Sequence, residues 1–293
     1  MARKNSVSCL MQIPIPTLHL FPKLDAKLIE LLKSLSADDW AKPTLARQWT
    51  VKDVASHLLD GNIRTLSFSR DNYVGERPEK IESYQDLVDF LNRLNADWVK
   101  ATKRVSPAVL IELLEITGKE FTEQLKKLDP FATAMFSVAW AGQTESPNWF
   151  HIAREYTEKW HHQQQIREAV NKPGIMTQEF FYPLIDTFMQ ALPHTYRNVR
   201  AEIGSSVRVK VTSDLGGEWI IVKTDKSWIL QKSSVLQKKP LENYHRCEIV
   251  LDPDTAWKLF TKGMSGAEAE SKIKFNGDRE LGKPILSMLS VMA

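Results

Sequence analysis

Ile203-Gly204-Ser205-Ser206-Val207-Arg208-Val209-Lys210-Val211 divides this chain into two parts of different character. From Val207 onward every second residue is valine, with Arg208 and Lys210 between. Successive side chains of a strand point to opposite faces, so this spacing predicts one apolar and one charged face. Downstream, Trp219-Ile220-Ile221-Val222 and Trp228-Ile229-Leu230 bracket Thr224-Asp225-Lys226, the pattern of antiparallel strands joined by a tight turn. Cys247 to Leu251 reads as a further strand. Asp252-Pro253-Asp254 then caps a helix that carries Trp257, Leu259 and Phe260. Ile273 to Phe275 is a last short strand, Asn276-Gly277-Asp278 a turn, and Pro284 to Met292 a closing helix.

Upstream of Ile203 the period is helical. Leu24, Leu28, Leu31, Leu32 and Leu35 recur on one face after a proline-rich stretch. Thr50, with Asp53 three residues on, opens a second helix whose stripe is Val51, Val54, Ala55, Leu58 and Leu59. Further helices are expected from Tyr84 to about Val105, from Pro107 to near Leu128, from about Trp149 to Val170 and from Gln178 to Leu192. The Asn171-Lys172-Pro173-Gly174 run stops the fourth of these, and Pro183 bends or delays the last. The fold class is therefore α followed by α+β. We expect an N-terminal extension over 1–22, a helical bundle over 23–195 and a smaller α+β domain over 196–293.

Composition excludes several function classes. Charged residues number 39 basic against 36 acidic, a net +3, which leaves no electrostatic footprint for nucleic acid. The basic pair Lys238–Lys239, with Lys232 just upstream, sits beside Pro240 and reads as a solvated loop. No apolar run approaches the ~18 residues of a membrane span, and the N-terminal stretch is broken by Gln12, Pro14 and Pro16 as no secretory signal is. Cys9 and Cys247 form neither a disulfide framework nor a thiolate metal site. A reducing, cytoplasmic setting is expected.

Chemistry is sought among the seven histidines. Glu158 and His162 lie four apart on one helix, so a carboxylate and an imidazole project from one face within a turn. His57, at the edge of its helix's apolar stripe, is placed to supply a third ligand from a second helix. Two histidines and one carboxylate suit zinc, nickel or a related divalent ion, and leave a coordination position open. His151 and Glu155 share the same spacing and face, and spacing alone does not choose between the pairs. His161 leaves the helix about 100° away from His162, so it is not expected to share the ion.

The stretch Leu35-Ser36-Ala37-Asp38-Asp39-Trp40, then Pro43-Thr44, then Trp49-Thr50-Val51-Lys52-Asp53-Val54-Ala55-Ser56-His57-Leu58, resembles the start of the DinB/YfiT-like metalloprotein family. The similarity is closest to the branch that includes mycothiol-dependent maleylpyruvate isomerase. It implies a DinB-like four-helix bundle with His57 as a metal ligand. It also implies that Glu158-Lys159-Trp160-His161-His162 is the family's later pair of ligands, Glu158 and His162. The run from Asp254 through Lys262-Gly263 to Gly277-Asp278 is similar to that branch's sterol-carrier-like second domain. Where relatives carry a Gly-Arg pair, this chain reads Gly263-Met264, leaving Lys262 and Arg279 as candidates for the catalytic cation of the C-terminal domain.

The function these readings imply is a thiol-dependent isomerase or S-transferase. A divalent metal favours the thiolate of a low-molecular-weight thiol, which then attacks a small-molecule electrophile. Two alternatives remain: a metal-dependent hydrolase, and a non-enzymatic carrier of small molecules or lipid. A tunnel lined by Trp219, Trp228 and Trp257 would favour the carrier.

Overall fold

The computed structural model of the protein describes residues 12–46, 48–78, 80–231 and 245–292. Cys9, Lys232, Lys238 and Lys239 lie outside the described residues.

Helix α1, Phe21–Lys33, begins with Pro22 in its first turn, where a missing N–H costs nothing. Its Leu24, Leu28, Leu31 and Leu32 are buried, as their spacing predicts. A short α2, Ala37–Trp40, follows, and then α3, Val51–Thr65, capped by Thr50. The Thr50 side chain accepts from the Asp53 backbone N–H while Asp53 accepts from that of Thr50, satisfying two otherwise orphaned donors. A π-helical turn, Leu66–Arg70, extends α3. Helices α4, Tyr84–Thr102, and α5, Pro107–Leu125, come next, followed by the long α6, Asn148–Val170. Asn171, in the left-handed conformation, ends α6 where the sequence places a stop. Helix α7, Gln178–Met189, accommodates Pro183 inside it, and α8 is the short Leu192–Thr195.

Helix α3 lies at the centre of the helical region, packed on α4, α5 and α6, with α1 against α5 and α6. Leu28, Leu32, Val51, Val54, Leu58, Leu110, Leu114 and Ile166 close one core between them.

Beyond Ile203 a five-stranded sheet forms in the order β3-β2-β1-β4-β5. Its strands are β1, Ser206–Val211; β2, Gly217–Lys223; β3, Trp228–Gln231; β4, His245–Leu251; and β5, Lys274–Gly277. The alternation in β1 is real: Val207, Val209 and Val211 are buried and Lys210 is exposed. Strands β1, β2 and β3 are antiparallel, and the Thr224 hydroxyl bonds the Ser227 carbonyl and N–H across the tight turn. Strand β4 instead runs parallel to β1, setting Cys247, Ile249 and Leu251 opposite the three valines in one apolar patch. Helix α9, Pro253–Phe260, capped by Asp252, lays Ala256, Trp257 and Phe260 into the core.

The closing helix is not continuous. Helix α10, Gly266–Glu270, and β5 are followed by a short α11, Arg279–Gly282, capped by Asp278, and a 3-10 turn over Lys283–Ser287. The tail is then held by other elements: the Ser290 N–H donates to Phe260 and its hydroxyl to Phe188.

The two regions share a core. Trp160 of α6 meets Trp257 of α9 edge to face at 5.9 Å, and Lys258 bridges to Glu168 of α6 at 3.0 Å. Trp219, Trp228 and Trp257 are packed side chains of this core, their indole N–H groups bonded to Asp186, Val199 and Asp254. Among the described residues no helix is long and apolar enough to cross a membrane.

Candidate metal centre

Thr50 fixes where α3 starts, and His57 follows two turns later on the side facing α6. Its ring lies 4.6 Å from that of His162, edge-on at 78°, and 4.9 Å from the indole of Trp49. On α6, His162 Nε2 and Glu158 Oε2 are 3.6 Å apart, as four-residue spacing on one face dictates. His57 from one helix and Glu158 and His162 from another are thus neighbours, but the set whose ligand atoms lie within 4.8 Å of one another is Glu158, His161 and His162, without His57. His57, Glu158 and His162 line a small cleft with Gly61, Asn62, Phe121, Glu155 and Lys159.

Hydrogen bonding prepares the imidazoles as ligands. His162 Nδ1 lies 3.0 Å from Gln165 Oε1, and His161 Nδ1 lies 2.8 Å from the Thr157 carbonyl. Both oxygens only accept, so each Nδ1 carries the proton and each Nε2 keeps its lone pair, the arrangement found behind metal-bound histidines. Meanwhile His57 Nδ1 and Glu158 Oε1 are buried with no hydrogen-bond partner. Orphaned buried polar atoms are costly, and two at one site fit a group that a cation would satisfy. The donor set, nitrogen and carboxylate oxygen, suits zinc or a similar divalent ion.

Protonation agrees. Burial pulls His57 well below the ordinary histidine range, helped by His162 and Arg64. Burial, with His162 alongside, brings His161 to about 4. Burial works to raise Glu158, but His162 beside it, His161 and Arg154 outweigh it and hold the carboxyl at about 2. Neutral imidazoles beside an ionised carboxylate are the forms that bind metal near neutral pH.

The rival pair is engaged elsewhere. Arg154 donates to His151 Nδ1 at 2.9 Å and also to Glu155, so a cation already occupies the space between them. Of the candidate cations, Arg279 is paired with Glu270 at 2.8 Å and lies over the Phe275 ring, and Lys262 is exposed at a positive φ of 60°. Neither lines the cleft.

Several neighbours were not read from the sequence. Arg154 and Gln165 stand three residues from His151 and His162, a spacing that signals contact on a helix. Lys159 is nearly buried, donates to Asp25 at 2.9 Å and sits 4.6 Å above the Phe121 ring. His161, set aside on its helical angle, has its ring 3.9 Å from that of His162, and its ligand atom lies within 4.8 Å of those of Glu158 and His162.

The Mycothiol maleylpyruvate isomerase N-terminal domain family matches residues 21–167, just over half of the chain. Two solved structures share its fold, the mycothiol-dependent maleylpyruvate isomerase and a histidine-to-alanine mutant of it. Each covers 91% of this chain and 93% of its own, with a TM-score of 0.53 at 9% and 8% identity respectively. No characterised protein matches by sequence. A helical region that includes α6, the sheet domain behind it and the matched residues lead to one conclusion: this chain belongs to the mycothiol maleylpyruvate isomerase N-terminal domain family.

Proposed function

We propose that His57, Glu158 and His162 hold a divalent metal, zinc in the first instance, and that the protein is a thiol-dependent isomerase or S-transferase acting on a small electrophile. The observation that carries this reading is the pair of buried, unpartnered ligand atoms, His57 Nδ1 and Glu158 Oε1, beside an imidazole whose Nδ1–H is already committed to Gln165. When bound, the metal supplies positive charge that favours a thiolate over a thiol.

The chain's own groups do the positioning. Gln165 fixes the tautomer of His162. Trp49 packs its indole against both imidazoles, 4.9 Å from the ring of His57 and 6.4 Å from that of His162. The family's thiol cofactor, named in its description, supports a low-molecular-weight thiol as the second reactant. Among the described residues the one free cysteine, Cys247, is buried and its thiol is pushed up to about 11 by burial, so it is no rival nucleophile. We read the helical region, 23–195 after the 1–22 extension, as a DinB-like four-helix bundle. Residues 196–293 are read as a sterol-carrier-like domain, with Lys262 and Arg279 as its candidates for a substrate-facing cation.

The test is turnover of a panel of activated alkenes, electrophiles and esters, with and without added thiol and after chelation. Loss of activity on removing either metal or thiol supports the reading. Ester cleavage that ignores the thiol would replace it with a metal-dependent hydrolase.

A further inference from the structure

The geometry points to His161 as a fourth protein ligand, an inference that rests on the metal reading above. Two observations on α6 carry it. The ligand atoms of Glu158, His161 and His162 lie mutually within 4.8 Å. Ligands at about 2.0–2.1 Å around a tetrahedral ion stand roughly 3.4 Å apart, so this cluster needs only a small contraction to close on a cation. Independently, His161 is prepared as His162 is: its Nδ1–H donates to the Thr157 carbonyl at 2.8 Å, which leaves the lone pair on Nε2.

The helical angle that argued against His161 applies to the bonds leaving the backbone. An imidazole reaches several ångströms further, and its hydrogen bond to Thr157, four residues back, lays this ring along the helix beside its neighbour. The rings of His161 and His162 end 3.9 Å apart at 38°. Glu158, His161 and His162 would hold the cation, with His57 approaching from α3, and four protein ligands would leave a tetrahedral ion no open position. His161 would therefore close the site when no thiol is present, and a thiol would have to take its place.

The experiment uses the full chain loaded with Co(II), whose visible absorption is intense when four-coordinate and weak when more water enters. Wild type should give the intense spectrum. His161→Gln should give the weak one and bind metal at least ~10-fold less tightly, while binding an added small thiol more tightly because no imidazole has to leave. The second variant, His161→Cys, places a thiolate at the same position and should create a sulfur-to-cobalt charge-transfer band in the near ultraviolet. Absence of that band in folded protein, with a wild-type spectrum for His161→Gln, overturns the proposal and leaves the three-ligand site standing. If wild type takes up no cobalt or zinc while folded, both readings fall together.

Discussion

The ring of His57 meets that of His162 edge-on, centroids 4.6 Å apart, although one stands on α3 and the other on α6. That contact ties the proposed metal site to helix packing: anything that slides α3 along α6 moves His57 relative to Glu158 and His162. The first prediction follows from it. His57→Ala, Glu158→Ala and His162→Ala should each remove most bound zinc, as read by elemental analysis of protein purified with metal present. His151→Ala should leave it, because Arg154 already holds that histidine and Glu155. Metal lost from His151→Ala and kept by His162→Ala would assign the site to the wrong turn of α6.

Thr50→Ala tests the start of α3. Losing a cap that closes a reciprocal pair with Asp53 should cost about 1 kcal/mol, visible as an earlier midpoint in urea. Metal affinity should weaken alongside, since the cap sets where His57 begins its approach. Thr50→Ser should restore both.

Acid stability should respond to His151. Burial, with Arg154 adjacent, lowers its pKa from the usual 6.5 to about 4. The unfolded chain therefore takes up a proton at higher pH than the folded one. The associated stability is present above 6.5 and is lost as pH falls towards 4, by at most about 3 kcal/mol. Denaturation of metal-free protein across that window should show a shallower pH slope for His151→Gln than for wild type. Equal slopes would mean that His151 is solvated in the folded state.

Trp257→Ala should destabilise by about 3–5 kcal/mol, the cost of emptying a large buried aromatic site. Combined with Trp160→Ala, the loss should fall short of the sum by roughly 0.5–1.5 kcal/mol, the share owed to the edge-to-face pair. Full additivity in calorimetry would show that the two indoles are energetically independent.

Much of this was legible in the sequence because local signals and tertiary needs agree. Thr50 and Asp252 each cap a helix where a polar residue precedes an apolar stripe, and the alternating valines of β1 already name the buried face. The parallel pairing of β1 with β4 was not legible, since register between distant strands is set by matching apolar faces and leaves no local mark. The closing helix failed for a related reason. Ser290 finds partners on Phe260 and Phe188, and those tertiary bonds outcompete the intrahelical ones a short terminal segment could make. At the site, spacing named Glu158 and His162 but left His151 and Glu155 equal to them. The resemblance selects Glu158 and His162, and in the structure Arg154 on one pair and His57 beside the other separate them, contacts that are not written in a four-residue repeat.

Trp160 has a consequence for how this protein can be divided. It sits between His161 and Lys159 on the ligand-bearing helix, yet its indole rests on Phe181 and Trp257, both beyond the last residue that the family shares. A cassette cut at residue 167 would carry every proposed metal ligand and still leave a large enclosed indole facing water. Such a fragment would seek another apolar surface, and the nearest supply is a second copy of itself. Exchange of the sheet domain for a foreign one meets the same obstacle, because the newcomer must bring a recess shaped for that ring. Ligand helix and sheet are thus bound to change together, residue for residue, across a boundary that looks modular only in the linear chain.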